Sequence, residues 1–218
     1  IGQYGGTWER LSLGVQWAQA NHEPFAKWKN DFKGVEPNVV REWIWNEDKT
    51  ELEAHFVKGI KWSDGTPLTV DDFLFWWEDM ILNKEVAMQT PVGTRINGEP
   101  MKVTKIDNYT LKFEFAAPNP LFFRYMASGF WASAWGVVPS HYMKQFHPKY
   151  NSEADVSELM DRFDQRWKYP EMPTKSPWRT VKYEPDKIMI AERNPYYWKV
   201  DPEGNQLPYI DKVVSRSL

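Results

Sequence analysis

Between Val39 and Phe115 the hydrophobic period changes from two to about 3.6 and back to two, and no other feature constrains the fold as much. Trp43 and Trp45 share one face of an alternating stretch, and Asn46-Glu47-Asp48-Lys49 turns the chain. Leu52, Ala54 and Phe56 share one face of the return, so Val39 to Phe56 is predicted to be a hairpin. Gly59 to Trp62 adds a short extended piece, and Ser63-Asp64-Gly65 makes a turn. Thr69 then caps a helix with Asp71 and Asp72 at its positive end. Phe73, Trp76, Trp77, Met80 and Ile81 form its broad apolar face. A second hairpin runs from Val103 to Asp107, turns at Asn108 and places Leu111, Phe113 and Phe115 on one face. Hairpins with helices between them are a mixed α/β arrangement of the α+β kind, not a simple doubly wound sheet.

The flanks are less regular. Residues 7–15 alternate loosely and are predicted to be a strand, and Glu23 to Asp31 a helix with Pro24 in its first turn. Pro118 and Pro120 introduce a short aromatic helix from Leu121 to Ala127, and Pro139-Ser140 opens another to Phe146. Ser152 is expected to cap a longer amphipathic helix carrying Val156, Leu159, Met160, Phe163 and Trp167. Ile188 and Ile190 mark a strand that Asn194-Pro195 ends. Seven of the 16 prolines lie between Pro170 and Pro208, which favours extended segments and loops there. Tyr209 to Ser215 alternates like a strand, and nothing downstream offers it a neighbour. Ile1 is not an initiator methionine and no basic-then-apolar segment precedes it. The chain is therefore expected to be the front part of a longer protein.

Composition removes several classes of function. A chain of 218 residues with 27 basic and 30 acidic side chains has no general attraction for nucleic acid or an anionic membrane. Without cysteine it has no disulfide, thiolate metal site or cysteine nucleophile. No run approaches the ~18 apolar residues of a membrane span. Phosphate-binding glycine loops and the G-x-S-x-G elbow are missing from the sequence. His22, His55, His141 and His147 lack metal-ligand spacing and are expected to be ordinary surface or packing residues. The acidic neighbours Asp71-Asp72 and Glu78-Asp79 point in different directions on a helix. They make poor candidates for hydrolytic carboxylates ~5–9.5 Å apart across a cleft. No catalytic residue, metal or cofactor is assigned, and the chain is expected not to be an enzyme.

Tryptophan is the unusual component, at 13 residues. Trp43, Trp45, Trp62, Trp76 and Trp77 lie on periodic faces and are expected in the core. Trp17, Trp131 and Trp135 sit among small or polar residues outside any stripe, where facing a ligand and packing are both open readings.

Lys61 to Phe73, KWSDGTPLTVDDF, follows Phe56-Val57-Lys58-Gly59 and closely resembles a hallmark of the family 5 solute-binding proteins of ABC importers, the oligopeptide, dipeptide and nickel class. Further ordered stretches are similar to that family: Tyr4-Gly5-Gly6-Thr7, Pro37-Asn38 before Trp43, Asp107 to Pro120, and Val138-Pro139 with His141. So are Arg193-Asn194-Pro195-Tyr196-Tyr197-Trp198 and Asp201 to Asp211. Ser176-Pro177-Trp178 departs from the family's Gly-Pro-aromatic, and Asn21 to Pro37 lacks its Asp-Pro turn. The resemblance implies the first lobe of a type II periplasmic-binding-protein-like clamp, with the second lobe absent. Residues 1–37 and 131–218 would form parts of that lobe, and 38–130 an inserted small α+β domain. Ligand-binding residues would be Gly14, Val15, Gln16, Trp17, Trp131, Ser133 and Trp135. The implied function is capture of peptides outside the cytoplasmic membrane, periplasmic or at the cell surface with a lipid anchor before processing, and delivery to the importer's membrane subunits. Oligosaccharide capture by tryptophan stacking is the alternative, with nickel chelates and other small solutes behind it. The protein would be a monomer peripheral to the membrane, without nucleic acid.

Overall fold

The computed structural model describes residues 23–86, 88, 90–127 and 137–216. The strand predicted at 7–15 lies outside the described residues. The first described elements, β1 (Ala26–Trp28) and β2 (Val35–Pro37), are an antiparallel pair, so the helix predicted from Glu23 to Asp31 does not form. Pro24 fits the start of an extended segment as well as a helix. Here Asn38 Nδ2 donates to its carbonyl at 2.7 Å, while Phe25 and Ala26 are buried.

Both predicted hairpins are present. After β3 (Val40–Trp45) and β4 (Glu51–Phe56) come a helix, a two-residue-stranded hairpin β5 (Arg95–Ile96) and β6 (Glu99–Pro100), then β7 (Lys102–Asp107) and β8 (Thr110–Glu114). The long hairpins join into one antiparallel four-stranded sheet of order β3-β4-β8-β7. Leu52 faces Phe113 and Ala54 faces Leu111 in register, and all four are buried on the inner face. On the other face Lys112 Nζ lies 3.0 Å from Glu51.

The helix between the hairpins starts as α1 (Val70–Leu74), capped by Thr69 as expected. Its Oγ1 accepts from the Asp71 N–H at 3.3 Å, and Asp72 Oδ2 accepts from the Thr69 N–H at 3.2 Å. This is a reciprocal capping box. From Phe75 to Ile81 the helix widens to π geometry, with Leu82 N–H reaching the Trp77 carbonyl at 2.9 Å. The expected amphipathic helix is instead buried nearly all round, because it is sandwiched. Phe73 meets Phe113 of the sheet at 5.5 Å, whereas Phe75 meets His147 on the opposite side at 5.8 Å. Glu78 is the side chain left exposed in the π segment.

α2 (Phe122–Met126) closes one end of the sheet: Phe122 packs 5.3 Å from Phe113, and Phe123 stacks on Trp43 at 4.2 Å. α3 (Ser140–Met143) continues as a tight turn to Phe146, as predicted. α4 (Val156–Asp164) is capped by Asp155, not Ser152; Asp155 Oδ1 accepts from the Ser157 N–H at 2.8 Å. The last sheet comprises β9 (Trp178–Glu184), β10 (Ile188–Arg193) and β11 (Lys212–Arg216), in the order β11-β10-β9. The strand expected at Tyr209 thus begins at Lys212, and its neighbour is the earlier β10, not a later segment.

Candidate ligand-binding wall

All seven residues expected to touch ligand, Gly14, Val15, Gln16, Trp17, Trp131, Ser133 and Trp135, lie outside the described residues. Glu23 and Val137 are the first described residues after those segments in the chain. Each is held by buried polar groups.

Around Val137 the frame begins with the turn at Asp64-Gly65. Gly65 takes φ +89°, and Asp64 Oδ1 accepts from the Thr66 N–H at 2.9 Å. That turn delivers Thr69 to its cap and leaves Asp72 inside, 3% exposed. Asp72 Oδ2 accepts from Trp62 Nε1 at 3.0 Å, and Oδ1 accepts from the Ser140 N–H at 3.0 Å and its hydroxyl at 2.7 Å. Burial pushes the Asp72 carboxyl upward, against the pull of donors from Ser140, Trp62 and Thr69. The start of α3 is therefore pinned to α1 by one carboxylate. Outside it, His141 Nε2 lies 2.7 Å from Asp64 Oδ2.

Around Glu23 the carboxylate is again buried, at 4% exposure. It accepts from the Tyr197 hydroxyl, and Lys199 Nζ lies 2.5 Å away. Burial lowers the Lys199 pKa and raises that of Tyr197. Asn194, fully buried, holds the neighbouring loop: its Nδ2 donates to the Ser176 carbonyl at 3.0 Å and its Oδ1 accepts from the Tyr196 N–H at 2.9 Å. Its own N–H donates to the Pro177 carbonyl at 2.8 Å.

Lys175 stands where the two frames meet. Its side chain is almost wholly buried, with Nζ 3.4 Å from the Val137 carbonyl and 5.9 Å from the centre of the Trp62 ring. Burial, reinforced by Arg166, pushes its pKa down to about 8, while Glu23 and Asp72 pull it back. The sequence gives no sign that Lys175, Glu23 or Asn194 is buried: Glu23 is predicted to open a helix and Asn194-Pro195 to end a strand. Lys175 sits in the loop sequence Pro173-Thr174-Lys175-Ser176-Pro177, whose pattern suggests exposure.

The acidic neighbours are scaffold. Asp72 caps and pins, Asp71 pairs with Lys105 at 2.7 Å, and Asp79 pairs with Lys149 at 2.6 Å. Among the described residues no group of three His, Asp or Glu side chains is arranged to hold a metal ion. No helix there is long and apolar enough to cross a membrane. The described frame offers rigidity and buried charge.

Residues 34–218 match the family described as bacterial extracellular solute-binding proteins, family 5, middle region. The periplasmic alpha-galactoside-binding protein of Rhizobium meliloti (strain 1021) is 35% identical over 94% of this chain and 29% of its own length. The periplasmic oligopeptide-binding protein OppA of Escherichia coli (strain K12) is 22% identical over 80% of this chain and 31% of its own. Among solved structures, an oligopeptide-binding protein OppA matches with TM-score 0.82 at 33% identity, over all of this chain and 36% of that one. The binding protein MelB of Agrobacterium fabrum C58, in complex with stachyose, matches with TM-score 0.74 at 33% identity, over 91% of this chain and 30% of that one. The chain thus spans about a third of the length of the relatives it matches. With the match covering most of its residues, the chain belongs to the bacterial extracellular solute-binding proteins of family 5.

Proposed function

We propose that this chain is part of the substrate-binding component of an ABC importer, and that its ligand is an α-galactoside oligosaccharide captured outside the cytoplasmic membrane. The observation that carries this reading is the 35% identity, over 94% of the chain, to an alpha-galactoside-binding protein, against 22% to the oligopeptide-binding protein of E. coli. This reverses the order of ligand classes expected from the sequence. The excess of tryptophan supports it, because a flat indole suits stacking on the apolar face of a sugar ring. Peptide capture is the second reading, favoured by the OppA structure at TM-score 0.82 and 33% identity.

In either case the proposed wall consists of Gly14, Val15, Gln16, Trp17, Trp131, Ser133 and Trp135. At roughly 3.5 Å per residue, Trp135 is tethered within about 7 Å of Val137, and Trp17 within about 21 Å of Glu23. Residues 1–37 and 131–218 would belong to the ligand-binding lobe and 38–130 to an inserted domain. A monomeric clamp would close over the ligand by hinge motion and present it to the importer's membrane subunits. It performs no chemistry on the ligand.

Isothermal titration of the full-length protein with stachyose and with a tetrapeptide tests this. Heat with stachyose and none with the peptide is expected, together with at least tenfold weaker binding in the Trp135→Ala variant. Heat with the peptide alone overturns the oligosaccharide reading.

A further inference from the structure

The three-stranded sheet carries a cation that its own neighbours leave unpaired. In register, Glu192 of β10 faces Arg179 of β9 on one side and Lys212 of β11 on the other. One carboxylate therefore stands between two cations in a row across the sheet. It pairs with Lys212 at 3.0 Å. The next acid, Asp211, has a side chain 82% exposed and lies 3.6 Å from Arg193. Arg179 is left over. Its side chain is half-buried, and its Nε is shut off from solvent with no hydrogen-bond partner among the described residues.

Arg179, Glu192, Arg193, Asp211 and Lys212 line one open pocket of about 400 Å³, a volume within the range of small-molecule sites. The Gln206 amide also lines it, but its Nε2 donates to the carbonyls of Pro195 and Tyr197 and adds no donor. Three cations against two carboxylates leave the pocket one anion short. A guanidinium N–H sealed from water without an acceptor costs free energy, and an arginine that served only to solvate the surface would keep its Nε wet. Nε and a terminal nitrogen of one guanidinium form a planar fork that fits the two oxygens of a carboxylate. The two acids disfavour a second negative charge on the same ligand and can accept hydrogen bonds from its donors.

We propose that this pocket is a second solute site, apart from the proposed wall, for a small monocarboxylate that also carries hydroxyl or ammonium donors. The carboxylate would sit on Arg179 and the donors on Glu192 and Asp211. The proposal does not depend on which ligand the wall takes.

Titration of the full-length protein at low salt tests it with three probes. D-Glucuronate and glycine are the hydroxyl-bearing and ammonium-bearing sources of the same carboxylate, and D-glucose lacks the carboxylate. Glucuronate is expected to bind with a Kd of about 1 mM, and glucose at least tenfold more weakly. Arg179→Met is expected to weaken glucuronate binding at least tenfold. Arg179→Lys should weaken it about fivefold, because an ammonium keeps the charge and loses the fork. The methionine variant should keep wild-type affinity for stachyose and the wild-type melting temperature. Glycine binding in place of glucuronate supports the site and names an amino acid as its class. Equal glucuronate binding by wild type and Arg179→Met overturns the proposal as an adventitious ion only, and so does a wild type that binds neither carboxylate. A fall of several degrees in the melting temperature of Arg179→Met overturns it too, since Arg179 would then be paired within the rest of the polypeptide. A tenfold loss of stachyose affinity in that variant would place Arg179 in the principal site and remove the separate one. If the wild type takes the tetrapeptide and not stachyose, the oligosaccharide reading fails while the glucuronate comparison still decides the role of Arg179.

Discussion

The four-stranded sheet and the three-stranded sheet are held in opposite ways. In the first, Leu52, Ala54, Phe56, Leu111 and Phe113 face α1 and α2 within one continuous apolar cluster, and ring packs on ring. In the second, the buried Met189, Ala191 and Tyr197 stand outside that cluster, and directional bonds carry the connections. Asn194 ties the end of β10 to the loop before β9. Trp178 Nε1 donates to the Ile210 carbonyl at 3.0 Å. Asp201 accepts from the N–H groups of Glu203 and Asn205, from the Asn205 amide and from the Tyr209 hydroxyl, and these bonds pull its carboxyl down to about 2. Dispersed burial tolerates small shifts and fails in proportion to the volume removed. A polar staple fails when one orphaned group is left without water or partner.

The largest effect should come from a cavity in the first region. Phe113→Ala is expected to cost about 3–5 kcal/mol in urea unfolding of the full-length protein, with Phe73 and Phe122 left facing a void.

Lys175, between the two regions, should produce the next effect, and its sign is set by pH. Its folded pKa of about 8 lies below the ordinary 10.5, so above pH 8 the unfolded state holds more of this proton and stability rises with pH until about 10.5. Relative to Lys175→Met, the wild type is expected to gain about 3 kcal/mol across that window. Equal slopes for the two proteins between pH 8 and 10 would show the amine to be solvated.

Asn194→Ala should cost about 2 kcal/mol, less than the phenylalanine cavity, because the carbonyls of Ser176 and Thr174 lose their donor in a closed space. A larger loss than for Phe113→Ala would reverse the contrast between the regions. The smallest effect belongs to the exposed pair of Asp71 and Lys105. Asp71→Asn is expected to change stability by under about 1 kcal/mol, and less in high salt. A loss above 2 kcal/mol would mean that surface charge, not the aromatic cluster, anchors α1.

The contrast also explains what was legible in the sequence. Alternation around Asn46 and Asn108 predicts both long hairpins, and Thr69 with Asp72 marks the helix between them, because apolar burial and capping leave periodic traces. β1 leaves none: three residues are too few to show a period, and Pro24 resembles a helix start. The π-helical widening from Phe75 to Ile81 answers to packing on two sides, which no one-dimensional pattern records. Buried polar residues are the least legible. Lys175 looks like a loop residue, Glu23 like a helix start and Asn194 like a strand end, and only the three-dimensional fold brings Glu23 beside Tyr197. The candidate wall leaves no periodic trace: Trp17, Trp131 and Trp135 sit outside any apolar stripe, and only family resemblance points to them.

The bond between Glu23 and Tyr197 joins residues 174 positions apart. At a ribosomal rate of about 5–20 residues per second, Glu23 waits roughly 10–30 seconds for its partner to be made. Through that interval the opening of the chain cannot close its frame, however quickly the hairpins form. A nascent chain halted before Tyr197 would leave a carboxylate meant for the interior exposed to water, whereas the frame around Asp72 and Ser140 joins residues 68 positions apart and has its partners synthesised earlier.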